Sequence, residues 1–131
     1  MSSQRPVVLT FPPDARYVRV ARLTTSGLAS LCGFDLDAIE DLKVAVDEVC
    51  STLIELAGEG DVSVALTMTA PSGLRVEGRV GVNDGGQLDE VRADLSQRIL
   101  DVMADEHAFE LVDGIAAFSF TRSVDPLGAD A

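Results

Sequence analysis

The sequence has no tryptophan, one tyrosine, one histidine and two cysteines among its 131 residues. Each scarcity excludes something. Cys32 and Cys50 are too few for a disulfide framework, and both fall inside helical patterns. They read as reduced helix thiols, with a redox-sensitive thiol as the alternative. The single His107 has neither a second histidine nor a thiol pair at ligand spacing, so the pattern contains no metal site. No apolar run approaches the roughly 20 residues of a membrane span. The opening MSSQRPVV has no apolar leader core, so a cytoplasmic protein is expected. P-loop and G-x-S-x-G patterns are also missing. Cationic residues are scarce, 10 Lys and Arg against 22 Asp and Glu, for a net charge of −12. Phosphate contacts need a basic surface, so nucleic-acid binding is not expected. The acidity either keeps the chain soluble or steers it toward the basic surface of a protein partner.

What is present is a core. Hydrophobic residues make up 47% of the chain, which argues for one globular domain rather than disorder. The expected bounds are 7–122, with a loose start at 1–6 and a flexible tail at 123–131. The strongest pattern lies in IEDLKVAVDEVCSTLIELA, residues 39–57. Ile39, Leu42, Val46, Val49, Leu53 and Leu56 alternate three- and four-residue spacings and form one apolar helix stripe. Glu48 and Thr52 stand one turn apart where that stripe meets the polar side. Such a carboxylate is either solvated or offered to a ligand.

Around this helix the other elements fall in order. Val7 to Phe11 reads as a short strand, and Pro12-Pro13-Asp14 stops it and caps a helix over 15–31. Val18, Ala21, Leu28 and Leu31 are that helix's expected inner residues. Arg16, Arg19 and Arg22 recur every three residues as a basic ridge, either a solvated face or a docking ridge for a carboxylate-bearing partner. Gly33 ends the helix and Asp35 or Asp37 caps the next. Val62–Thr69 and Leu74–Val82 alternate as the strands of a hairpin turned by Pro71-Ser72-Gly73. A late helix spans Asp94–Asp105 through Leu95, Ile99, Val102 and Met103. His107, a surface or edge residue, then precedes a strand at Phe109–Val112, a turn at Asp113-Gly114 and a last strand at Ile115–Thr121. The order β-α-α-β-β-α-β-β predicts an α+β two-layer sandwich, with helices on one face of a mostly antiparallel sheet.

The segment FPPDARYVRVARLTTSGLASLCGFDLDAIEDLKVAVDEVCSTLIELA resembles the N-terminal half of the RsbW/SpoIIAB family. These anti-sigma factors have a serine-kinase fold of the GHKL ATPase type. DLKVAVDEVCSTLI is the closest part, and the resemblance extends more weakly over 7–122. It implies a central helix with a general-base Glu followed, four residues on, by a magnesium-binding Asn. Here those places hold Glu48 and Thr52. A threonine hydroxyl is a poorer magnesium ligand than an amide carbonyl, and phosphoryl transfer depends on positioning and on metal. The family's D-x-G-x-G nucleotide motif is matched at Asp84 and Gly86, while Leu88 replaces its second glycine. Asp84-Gly85-Gly86 also reads as a plain turn. No G-x-G separates Asp84 from the late helix, so the glycine-rich lid over ATP is expected to be absent. The resemblance therefore implies a degenerate member, with no ATP or magnesium expected and kinase activity the alternative. It also implies partners: a homodimer that sequesters an alternative sigma factor and is antagonised by a STAS-domain anti-anti-sigma protein. The family's partner-contacting arginine corresponds to Arg19, within the ridge Arg16, Arg19, Arg22.

Overall fold

Asp35 opens the helix against which the other two helices and the middle strands of the sheet pack. Its side chain accepts a hydrogen bond from the Ala38 amide at 2.8 Å, capping α2 (Leu36–Leu56). All six stripe residues predicted for this helix are buried. The computed structural model describes residues 5–82 and 90–124.

The strands are β1 (Val7–Phe11), β2 (Val62–Thr69), β3 (Gly73–Gly81), β4 (Glu106–Val112) and β5 (Ile115–Ser123). They form one antiparallel sheet in the order β1-β2-β3-β5-β4, so β1 and β4 are its rims. Register places Leu66 opposite Val76 and Val76 opposite Phe120, and these three are buried together on the helix side. Arg75, Glu77 and Arg79 alternate onto the other face, which is wet. The β4–β5 turn forms at Asp113-Gly114, both at positive φ (53° and 77°), as a tight hairpin requires. Gly78 lies under α2, where a side chain would run into Leu53 and Val49.

α1 (Val18–Cys32) follows a single 3-10 turn at Ala15–Tyr17, so the predicted 15–31 helix begins with that tighter turn. Asp14 caps this turn by accepting from the Arg16 amide at 2.9 Å. Gly33 ends α1 at φ 95° and donates back to the Ala29 and Ser30 carbonyls. The inner face of α1 is Val18, Ala21, Thr25 and Ala29. Leu31, expected inside, is 75% exposed. Small residues at 21, 25 and 29 keep α1 close to its neighbours, and Thr25 satisfies its hydroxyl on the Ala21 carbonyl at 2.8 Å.

α3 (Glu90–Met103) starts earlier than predicted and turns a different side inward. Ser96 and Leu100 are buried, Leu95 is 49% exposed, and Val102 also faces out. β4 begins at Glu106, so His107 lies within it rather than before it. His107 Nε2 sits 2.7 Å from Asp101 Oδ1 of α3. β3 closes at Gly81, leaving Val82 in an isolated bridge with Ala57. Arg122 ties three elements at the end of the sheet, donating to Asp41 Oδ2 at 3.1 Å and to the Met103 carbonyl at 2.9 Å. No helix of the described residues is long and apolar enough to cross a membrane.

Candidate functional site

Two places on α2 and its neighbours gather the residues singled out above. The first is the polar flank of α2. Because Glu48 and Thr52 are one turn apart, their side chains meet, and the Thr52 hydroxyl lies 3.3 Å from Glu48 Oε2. α3 adds a third member. Ser96 donates to the same Glu48 oxygen, and its hydroxyl is 3.2 Å from that of Thr52. Thr52 is 0% exposed and Ser96 1% exposed. One carboxylate thus gathers two neutral hydroxyls from two helices, an arrangement that satisfies buried polar groups. Mg²⁺ asks for near-octahedral oxygen geometry and keeps several of its waters. A wholly buried threonine hydroxyl turned toward Glu48 and Ser96 does not suit it. Among the described residues, no group of three His, Cys, Asp or Glu side chains is placed to hold a metal ion. Asp84 and Gly86 lie outside the described residues.

The second place is the basic ridge. Arg16, Arg19 and Arg22 line one open cleft of about 390 Å³ together with Ala15 and Val18. Their three-residue spacing sets them side by side along the start of the first helical segment. Their charges are not equally available. Asp14 holds Arg16 through Nη2–Oδ2 at 2.8 Å, and the hydrogen bonds from Arg16 lower the Asp14 carboxyl from its ordinary pKa. Asp47 of α2 holds Arg22 bidentately, Nε to Oδ1 at 2.9 Å and Nη2 to Oδ2 at 3.0 Å, raising the guanidinium pKa further. Arg19 is exposed, and among the described residues it has no ion pair. Next to it on α1 stand the exposed Val20 and Leu23 (65% exposed), while Leu31 is exposed at the other end of the helix.

Sequence reasoning found Glu48, Thr52 and the ridge but missed Ser96, Asp47 and Asp14 as their partners. Nothing in the α3 pattern marks Ser96, because its partners are 44 and 48 residues away. Asp47 is visible only as a polar residue beside the stripe. Neither thiol belongs to these places. Cys32 donates to the Gly73 carbonyl at 3.3 Å, and burial raises its thiol pKa. Cys50 is buried in the core and its pKa is pushed up to about 12.

No family model matches the chain. Over 62 residues it is 42% identical to the serine-protein kinase RsbW of Bacillus velezensis, covering 44% of this chain and 39% of that protein. Over 56 residues it is 39% identical to the RsbW of Bacillus thuringiensis, covering 43% and 35%. The chain thus spans well under half the length of the curated relatives it matches. Among solved structures, the RsbU and RsbW domains of a Mycobacterium tuberculosis protein superpose with a TM-score of 0.73 at 15% identity, covering 91% of this chain and 32% of that one. The SiaB–SiaC complex of Pseudomonas aeruginosa matches with a TM-score of 0.64 at 16% identity, covering 91% of each chain.

Proposed function

From the premise that the chain carries the RsbW-type GHKL fold, we propose that it is an anti-sigma factor working by capture rather than by phosphorylation. It sequesters an alternative sigma factor as a homodimer in the cytoplasm and releases it when a STAS-domain anti-anti-sigma protein competes for the same surface. The observation that carries this reading is the cleft shared by Arg16, Arg19 and Arg22 in a chain of net charge −12. A local cationic cleft on an acidic protein selects for carboxylates presented at close range, because long-range attraction is screened within about 8 Å at physiological salt. The exposed apolar pair Val20 and Leu23 adds area for a partner helix beside Arg19. Arg19→Glu should abolish capture of the cognate sigma factor, measured by pull-down, with an unchanged circular dichroism spectrum. Wild-type capture by that variant would remove the ridge from the interface.

The catalytic half of the family's chemistry is proposed to be lost. Thr52 stands where a magnesium ligand is expected, and its hydroxyl is buried against Glu48 and Ser96. A second reading keeps a slow serine kinase that phosphorylates the STAS partner, with Glu48 as base. It is favoured by the similarity of part of the chain to relatives named as serine-protein kinases. Glu48→Gln separates the two. Capture survives that substitution under the first reading, and phosphate transfer to the STAS protein stops under the second.

A further inference from the structure

We propose that Asp47 is an internal competitor for the docking cleft, holding Arg22 until a carboxylate of the partner replaces it. The inference rests on the capture reading above and concerns how that surface is regulated. Asp47 fills the Nε–Nη2 edge of the Arg22 guanidinium and offsets its charge, so a second carboxylate meets full attraction there only when Asp47 gives way. A partner's Asp or Glu would use the same two-bond geometry. The pair is not sealed in, with the Arg22 and Asp47 side chains 38% and 36% exposed. Exchange of one carboxylate for another therefore needs no unfolding.

The two engaged arginines differ in what holds them. Asp14 lies two residues from Arg16 and caps the same turn, so that pair is local and moves as one piece. Asp47 lies 25 residues from Arg22, on another helix. Releasing Arg22 breaks a link between α1 and α2, one residue from Glu48. Arg19 is then the open contact and Arg22 a latent one. The fitting occupant is a protein segment with two carboxylates, one for Arg19 and one to displace Asp47. A surface with a single carboxylate gains only the first contact. Asp47 thus makes the cleft selective for spacing and not only for charge.

The test titrates the full chain with a fluorescein-labelled, end-blocked hexaglutamate peptide and reads anisotropy. Asp47→Asn should tighten binding by roughly two- to fivefold, the range expected for an exposed carboxylate pair. The gain should vanish when Arg22→Gln is also present. Asp47→Ser, smaller but equally uncharged, should tighten as Asn does. Asp37→Asn removes an exposed charge from the first turn of α2, and it should leave affinity at the wild-type value. Tightening by Asp37→Asn equal to that by Asp47→Asn, or tightening that persists without Arg22, would mean net charge alone is responsible and would overturn the proposal. So would unchanged affinity on Asp47→Asn. Arg19→Glu separates the two levels. If it abolishes peptide binding while Asp47→Asn has no effect, only the competitor falls. If it changes nothing, or if no variant binds the peptide, the capture reading falls and takes the competitor with it.

Discussion

Gly78→Ala should push α2 off the sheet. A methyl built at Gly78 would lie 2.6 Å from Leu53 Cδ1 and 3.2 Å from Val49 Cγ1. Ordinary carbon contacts are about 3.5–4.0 Å, so Leu53 or its helix must move by roughly 1 Å. Leu53 is fully buried and cannot swing into solvent. Overpacking of this kind costs about 1–3 kcal/mol, and replacing a mid-strand glycine returns about 0.5–1 kcal/mol of it. At the middle of these ranges the expected net loss is about 1 kcal/mol, a fall in Tm of roughly 3–6 °C for a chain of this size. The chain has no tryptophan, so the assay is urea unfolding followed by circular dichroism. Leu53→Ala alone should cost about 2–5 kcal/mol, and the double variant should lose less than the sum by at least about 0.5 kcal/mol, because the smaller side chain makes room for the new methyl. A Gly78→Ala protein as stable as wild type, or strict additivity with Leu53→Ala, would refute the close approach.

Two other outcomes follow from the helix contacts. Ser96→Ala removes a donor to Glu48 and should cost about 1–2 kcal/mol; amide hydrogen exchange should quicken in α3 while β3 and β5 stay protected, and uniform protection would count against the cluster as the tie between the helices. The buried Cys50 thiol, pushed up to about 12, stays protonated in the fold above pH about 8.5, where an unfolded thiol ionises. Its contribution is complete below that pH and is lost as pH rises from there toward 12. Cys50 should therefore resist a thiol reagent at pH 8 until urea is added, and rapid native labelling would contradict its burial.

The stripe of α2 was legible because six large apolar residues keep one spacing, and all six are buried. The α1 and α3 faces were less so, for a shared physical reason. Both bury a hydroxyl and leave a leucine out: Thr25 inside with Leu31 exposed, Ser96 inside with Leu95 exposed. Hydropathy counts a hydroxyl as a surface group, and it becomes an inner one only when a partner satisfies it. For Thr25 the partner is its own helix; for Ser96 it is α2. The start of β4 was missed because Glu106, His107 and Ala108 have little strand character and take their place from pairing with Thr121, Phe120 and Ser119. The three ridge arginines could be read from their spacing. That Asp47 already engages one of them could not, because the crossing of α1 and α2 decides it.

The rims of the sheet bear on how the protein behaves when it is abundant. Two copies meeting along β1 would find a ladder of only five residues, bounded by Pro6 and by Pro12-Pro13, which have no N–H to extend it. Meeting along β4, they would bring Glu106 and Glu110, both exposed, toward the same carboxylates of the neighbour. Neither rim offers the long, flat, uncharged edge from which fibrils grow. Pairing edge to edge is thus disfavoured at both rims, by shortness and prolines at β1 and by like charges at β4.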